Sequence, residues 1–414
     1  MIGIEAAQQL ILDRINLLPT EFVGLFDSLG RTTAKDLIAP WNLPQADNSG
    51  MDGYAFAHAG LKEGRLRTGG FLPAGKVATD AVDLGIAVRI MTGAPIPAGC
   101  DTVVPIEDVE GEGEWIRLRK AVKHGANVRP LGEDIRTGQV VITANSVIRP
   151  PEIGMLSAMG MTSVEVRRKA RIAVLATGDE LIEPGTTPLP GMTINSNSFS
   201  MTASALDAGA SPRRLGIAHD GLEATMAMIG AGLCEDMVVI TGGASVGDHD
   251  FVKPAIEALG GKLLFWKVSM KPGKPVAFGM IEKTPIFALP GNPVAAMVAF
   301  ELFVRPALLK AMGTSSIFRA KFRASLEDPL ENRGDRVHMV RGRVFLRDGS
   351  FRVRTTGNQS SARLSSIVDG NCLIRAEPDG SYSPGDEVEV MLLERDFGML
   401  SAGPGERIPG EEKP

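Results

Sequence analysis

Between Ala170 and Met312 short apolar runs alternate with amphipathic stretches, and this alternation restricts the fold more than any other feature of the chain. "RIAVLAT" (171–177), "RRLGIA" (213–218), "DMVVITG" (236–242) and "LLFWKV" (263–268) have the length and apolar character of strands. "SNSFSMTASALDAG" (196–209), "LEATMAMIGAGL" (222–233) and "FVKPAIEALG" (251–260) read as the helices between them. "PVAFGMIEKTPIFAL" (275–289) reads as a hairpin, and "PVAAMVAFELFVRPALLKAM" (293–312) as one long helix. Strands separated by helices need crossover connections, so this part is expected to be a doubly wound α/β domain around a mostly parallel sheet.

The rest of the 414 residues is too long to share that one core, so further domains are expected. Ile4, Ala7, Leu10, Ile11 and Ile15 fall at helical spacing in residues 3–17. From about Tyr54 to Thr143 short apolar runs such as "VRIMTG", "CDTVVPIED" and "EWIRLRKA" are broken by Gly, Pro and Asp, the pattern of an all-β module. "PPEIGMLSAMG" (150–160) returns to helix, with prolines suited to its start. After about Ser316 the pattern is β again, with Asp348-Gly349 as a hairpin turn in "RVFLRDGSFRVRTT". The expected division is a helical and linker domain (1–44 and 144–169), an inserted β domain (45–143), the central α/β domain (170–316), a C-terminal β domain (317–400) and a disordered tail (401–414).

Composition enters mainly as exclusion. A net charge of −5 offers no basic face for nucleic acid. Three scattered cysteines, Cys100, Cys234 and Cys372, form neither a disulfide framework nor a zinc motif and suit a reducing compartment. Glu5 and Asp13 interrupt any signal-peptide pattern at the N-terminus, and the most apolar stretch, 294–304, is too short to span a bilayer and contains Glu301. A soluble cytoplasmic protein without membrane or nucleic-acid partners is expected.

Ligands of doubly wound sheets sit at the carboxyl ends of the strands. Three turns fall there: "ATGDEL" (176–181), "TGGASVGDHD" (241–250) and "LPGNPV" (289–294). Gly242, Gly243, Ser245, Gly247, Gly291 and Asn292 can aim backbone N–H groups at one crevice, the arrangement that favours a phosphate or another oxyanion. A single such turn is as often only a turn; three in one sheet domain carry more weight. Nearby, "WKVSMKPGKP" (266–275) holds Lys267, Lys271 and Lys274 among prolines and a glycine. Either these are solvated charges or they clamp an anion, Lys274 having the least support. Carboxylates beside a phosphate make sense when a divalent cation lies between, and Mg²⁺ takes one or two carboxylates plus phosphate oxygens. Glu180, Asp220 ("AHDG"), Asp248 and Asp250 are the candidates. A helix N-cap role for Asp248 and a turn role for Asp220 stand beside the metal role.

The order of "DNSGMDGYAF" (47–56), "MTGAPIPAG" (91–99), "GANVRPLGEDI" (125–135), "ATGDEL", "TGGASVGDHDF", "KPGKP" and "LPGNPV" resembles the molybdopterin molybdenumtransferases, the family of bacterial MoeA and the gephyrin E domain. The resemblance covers roughly residues 1–400. Gly50 and Ala244 depart from it, standing where Ala and a larger apolar residue are common. The resemblance implies an enzyme that takes adenylylated molybdopterin and molybdate, cleaves the adenylate with Mg²⁺, and yields molybdenum cofactor and AMP. It implies an elongated homodimer, and a separate molybdopterin adenylyltransferase and molybdoenzyme chaperones as possible partners. It further implies Asp52, Thr92, Arg129 and Asp134 on the inserted domain facing the cleft, opposite Glu180, Asp220, Asp250, Lys267 and Lys271. Two alternatives use the same domains: an adenylyltransferase acting on ATP and free molybdopterin, and a pterin-binding scaffold without chemistry.

Overall fold

The computed structural model describes residues 1–243 and 251–393. Its centre is a six-stranded sheet in the order Ser211–Ala218, Arg171–Thr177, Met237–Thr241, Thr284–Leu289, Ala277–Ile281, Lys262–Trp266. The first four strands run parallel, and the last two close the sheet antiparallel. Arg171–Thr177 is buried at every residue after the first, because both faces of the sheet are covered. Its side chains divide by the strand period of two. Ile172 and Val174 pack with Met201, Ala205, Phe287 and Val298 on one face. Ala173 and Leu175 pack with Ile229, Val252 and Ile256 on the other. The expected alternation is therefore present, with helices at Asn197–Asp207, Leu222–Gly232 and Val252–Ala258.

The long helix expected at 293–312 is three pieces. Pro293–Ala299 and Arg305–Ala311 are α-helical, and Phe300–Val304 between them is a π-helical turn. Glu301 in this turn receives both arms of Arg319, with Nε to Oε2 at 2.8 Å and Nη2 to Oε1 at 3.1 Å. A charge in an apolar helix thus has a buried partner from the start of the next domain. Among the described residues no helix is long and apolar enough to cross a membrane.

The inserted β region forms its own six-stranded sheet, ordered Thr102–Pro105, Gly53–Phe56, Ile86–Ile90, Arg65–Leu72, Trp115–Leu118, Val109–Glu112. Gly53 admits no side chain there, since a Cβ would lie 1.9 Å from the Val104 carbonyl oxygen. The N-terminal helix is Ile4–Leu12, shorter than the apolar pattern over 3–17. It does not pack with residues 144–169. Ile4, Ala7 and Ile11 enter the central core beside Phe303 and Leu308. The remainder of 1–44 and 144–169 is held less by helix than by antiparallel strand pairs, Thr20–Gly24 with Ser163–Arg167 and Leu37–Ile38 with Val140–Ile142. One helix, Pro150–Ala158, begins with its expected prolines, and Glu152 Oε2 accepts from the Arg149 backbone N–H at 2.8 Å.

The C-terminal strands close on themselves. Val337–Arg347 pairs with Ser350–Thr355, then Lys321–Leu326, Glu387–Leu392 and Cys372–Ala376 follow, and the last pairs back onto Val337–Arg347. Asp348 and Gly349 both have positive φ, as the hairpin turn demands. A two-residue strand from the lysine loop, Met270–Lys271, adds to this barrel in parallel, with Lys271 opposite His338. The tail 401–414 lies outside the described residues.

Candidate active site

The crevice follows from topology. The helix after Arg171–Thr177 contributes Met201 and Ala205 to one core. The helix leading on from Met237–Thr241 contributes Val252 and Ile256 to the opposite one. Adjacent strands whose following helices leave on opposite faces open a gap at their carboxyl ends. Register keeps those ends level, with Thr177 opposite Ala218, Ala176 opposite Thr241, and Thr241 opposite Leu289. A cavity of about 720 Å³ lies there, lined by Thr177, Gly178, Glu180, Thr193–Asn197, Asp220, Thr241–Gly243 and Pro290–Pro293.

Two glycines are required here, Gly242 by a close backbone approach as well as its φ, and Gly178 by its φ. Gly242 has φ +88°, and a Cβ on it would lie 2.6 Å from the Thr177 carbonyl oxygen. Gly178 has φ +142°, and the Glu180 carboxylate folds over it so closely that a Cβ would meet Oε2 at 2.4 Å. Asp179 orders the neighbouring turn, where its Oδ1 accepts from the Asp220 backbone N–H at 3.0 Å and contacts His219 Nδ1 at 3.0 Å. Glu180 and Asp220 are exposed to the crevice. Thr241 Oγ1 and Asn197 Oδ1, on two lining residues, are buried without a partner among the described residues. The asparagines of "NSNS" were not among the sequence candidates. Their signal was a run of polar residues before a helix, which is equally the signal of a cap.

A second cavity of about 590 Å³ adjoins the first and shares Pro275, Pro290 and Asn292 with it. Its character is opposite. Lys271, Lys274 and Arg336 line it with Gln359, Ser360 and Ser361, and among the described residues no acidic residue does. Arg336 lies 3.5 Å from Asp335, which is largely exposed. Asn292 stands at the N-cap of Pro293–Ala299, with Pro293 first in the helix as expected. Its side chain does not cap; Nδ2 donates to Ser361 Oγ at 2.9 Å and joins the third turn to the barrel. Gly291 is held likewise, its carbonyl accepting from Asn197 Nδ2 at 2.7 Å.

The structure thus brings Glu180, Asp220, Gly242, Gly243, Gly291 and Asn292 to one cavity and Lys271 and Lys274 to the next. Lys267 lines neither; its N–H donates to the Val276 carbonyl and its carbonyl accepts from the Ile2 N–H. Ser245, Gly247, Asp248 and Asp250 lie outside the described residues. Asp52 and Thr92 meet each other on the inserted domain. Both the N–H and the hydroxyl of Thr92 donate to Asp52 Oδ1 at 2.7 Å. The Thr92 hydroxyl first, then its N–H, hold the Asp52 carboxyl below the usual range. Arg129 sits on a strand paired with Asn48–Ser49, and Asp134 donates its N–H to the Leu43 carbonyl. None of these four lines either cavity within one chain.

Behind the basic cavity His338 is buried, and neither ring nitrogen has a partner among the described residues. Burial, then Lys271, Arg341 and Arg336, push its pKa down to about 4. Between the unfolded value of 6.5 and about 4 the unfolded chain binds a proton that the folded chain refuses. Stability should therefore fall as pH falls through this window, by on the order of 3 kcal/mol once below it. Denaturant titrations at pH 7, 5.5 and 4.5 should show a smaller acid loss in His338→Leu than in the unsubstituted chain. Parallel losses would exclude His338 as the source.

Residues 2–160 match the model of the MoeA N-terminal region (domain I and II), 173–310 the probable molybdopterin binding domain, and 323–393 the MoeA C-terminal region (domain IV). The molybdopterin molybdenumtransferase of Haemophilus influenzae is 34% identical over 397 residues, covering 94% of this chain and 98% of that one. This chain belongs to the molybdopterin molybdenumtransferase family. Another member, from Bacillus subtilis, is 33% identical over 392 residues, covering 92% and 91%. The crystal structure of the molybdopterin biosynthesis moeA protein from Pyrococcus horikoshii OT3 superposes with a TM-score of 0.82 at 29% identity, covering 95% and 100%. The multidomain architecture expected from the sequence is the family's.

Proposed function

We propose that the chain inserts molybdate into adenylylated molybdopterin and cleaves the adenylate, releasing AMP and molybdenum cofactor. The observation that carries this reading is the pairing of two cavities of opposite character across Asn292. Glu180 and Asp220 line one; Lys271, Lys274 and Arg336 line the other. A reaction that joins a phosphate-bearing pterin to a tetrahedral dianion needs two such compartments side by side. The first, of about 720 Å³, takes the adenylate, with the Gly242–Gly243 turn and the Thr241 hydroxyl, unpartnered among the described residues, as polar partners. The second takes molybdate.

Among the described residues no cluster of three His, Cys, Asp or Glu is spaced to hold a metal. A zinc-type cage is thus not offered by the described residues, whereas two carboxylates on one crevice suit Mg²⁺, which fills its shell with phosphate oxygens and water. Glu180 and Asp220 would hold it, and it would neutralise the phosphate oxygens as the adenylate is cleaved. AMP release from molybdopterin adenylate, with and without molybdate, tests the whole reading. Release only with molybdate supports it; binding without any release would favour a scaffold, and turnover of ATP with free molybdopterin an adenylyltransferase.

The lysines give a graded test. Lys271→Ala and Lys274→Ala should each raise the molybdate concentration for half-maximal AMP release by about tenfold at low salt, and by less at high salt, where charge contacts are already screened. Lys267→Ala should be mild, since it lines neither cavity. Unchanged half-saturation in both Lys271 and Lys274 variants would make this loop a solvated surface.

The reading also includes a homodimer with composite sites. Asp52 and Thr92 form an exposed, hydrogen-bonded pair that lines neither cavity described above. Exposed apolar residues are available to bury against a second copy, among them Phe22, Leu29 and Phe26, the last 87% exposed.

A further inference from the structure

We infer that Phe71 is the platform on which the pterin ring of the substrate stacks, presented by the inserted domain of one chain to the crevice of its partner, with Arg89 as a positioning residue behind it. This rests on the composite site of the proposed function.

The substrate of that reading carries two planar ring systems, adenine and pterin, joined through phosphate. Neither cavity has an aromatic side chain in its described lining. The crevice takes the adenylate, so the pterin needs a surface of its own. A flat heteroaromatic ring is well held by another flat ring, as nucleobases are.

The inserted sheet carries such a ring where regular pairing would turn it away. Ala55, Val88 and Ile90 face one core of this sheet, and Phe56, Leu66 and Ala87 face the other. Counting by twos from Leu66 would put Leu72 on the Leu66 side and Phe71 on the opposite one. Instead Leu72 packs with Ala55 and Ile90. A bulge causes the inversion. Thr68 pairs with Ala87 and Phe71 with Arg89, so Gly69 and Gly70 together oppose Val88. Gly70 has φ +81°, a conformation that suits glycine. Bulges re-aim side chains and gather beside active sites.

Phe71 thereby joins a row with Arg89 and Tyr54, which are opposite each other on neighbouring strands. The row lies at the end of the sheet that carries the Asp52–Thr92 pair. Asp52 directly precedes the strand of Tyr54, and Thr92 follows that of Arg89. The Arg89 guanidinium carbon stands over the Phe71 ring, 5.9 Å from its centroid. After the two Thr92 bonds, Arg89 is the charge that holds the Asp52 carboxyl low. It thus ties the ring to the carboxylate of the composite site, while Phe71 remains 56% exposed. A single exposed phenylalanine is ordinary. One turned outward against the period of its own strand, beside Asp52, is placed for a ligand.

The test measures AMP release by the full-length protein against molybdopterin adenylate. Phe71→Ala should raise the half-saturating concentration about tenfold or more, the loss expected on removing one stacking ring, with release at saturation within about threefold. Phe71→Leu, apolar but without a π face, should lose nearly as much, and Phe71→Tyr should keep the original value. Free AMP should inhibit every variant as before, and molybdate half-saturation should be unchanged. Arg89→Ala should raise half-saturation several-fold, and Arg89→Lys should restore part of it. Melting temperatures confirm folding, and if Phe71→Ala does not fold, Phe71→Leu carries the test. A folded Phe71→Ala or Phe71→Leu protein with the original half-saturation overturns the platform. So does one that loses AMP affinity in step, which would make Phe71 an adenine contact. Isolated mixed dimers of a Phe71→Ala chain and an Asp220→Ala chain test the placement. If Phe71 serves the partner's crevice, the surviving site carries neither lesion and its half-saturation is normal. A raised value would put Phe71 at its own chain's crevice and overturn the arrangement across subunits. The two failures are distinct, because an unshifted Phe71→Ala protein removes the platform and leaves the composite site standing.

Discussion

Co-expressed Asp52→Ala and Asp220→Ala chains, each inactive alone, are expected to recover about a quarter of the unsubstituted AMP release. Asp52 lies on the inserted domain and Asp220 on the crevice of the central domain, and the crevice of one chain includes no residue of 45–143. If the inserted domain of one copy completes the crevice of the other, a twofold dimer holds two equivalent composite sites. In a mixed dimer one site then carries both lesions and the other carries neither. Random assortment makes about half of all dimers mixed, and half of their sites are intact, which yields the quarter. Differently tagged chains allow the mixed dimer to be isolated, where about half of the normal activity per dimer is expected. Verified mixed dimers that remain inactive would mean that each site lies within one chain.

Asp220→Ala by itself should lower the rate of adenylate cleavage by about 10²–10³-fold, the effect of removing one electrostatic stabiliser from a transition state. The fold should be untouched. Asp220 is exposed, and its side chain makes no hydrogen bond or ion pair with the described residues, so the expected change in stability is within about 0.5 kcal/mol. A chelator should silence the unsubstituted enzyme, and added Mg²⁺ should restore it. Asp220→Ala cleaving adenylate at the normal rate would remove this carboxylate from the site. Activity that persists in chelator would remove the metal.

What could be read in advance divides by how locally it is encoded. A strand buried on both faces must be apolar at nearly every residue, so "RIAVLAT" and "DMVVITG" declare themselves. Asp348-Gly349 declares its hairpin for the same local reason, two consecutive residues at positive φ. The acid-lined half of the site was legible because its turns follow directly on those strands. The basic half was legible only on its lysine side. Its far wall, Arg336 and Ser360–Ser361, comes from a barrel more than sixty residues further on, brought there by the pairing of Met270–Lys271 with Val337–His338. A two-residue ladder leaves no periodicity to detect. The same limit hid the destination of the N-terminal helix. Its apolar stripe says that it packs, but not that Ile4 and Ile11 pack against residues near 303 rather than near 156. The π turn at Phe300–Val304 was hidden too, because its composition is that of an ordinary apolar helix.

The route of the N-terminal helix has a consequence for how the molecule melts. Ile4, Ala7 and Ile11 share one continuous core with Met339, Leu373 and Met391 of the barrel and with Phe300, Phe303 and Val304 of the π turn. The first dozen residues and the last described strand therefore belong to one cooperative unit, although most of the chain separates them. The inserted region differs. Ala55, Leu72, Ile90 and Val103 in one cluster, and Phe56, Leu66 and Ile116 in another, close among themselves without a residue from outside the region. Calorimetry should resolve two endotherms, one for this module and one for the remainder. Deleting residues 1–12 should lower the second and leave the first in place, so that a lesion at the beginning of the chain is felt at its end before it is felt by the domain next to it in sequence.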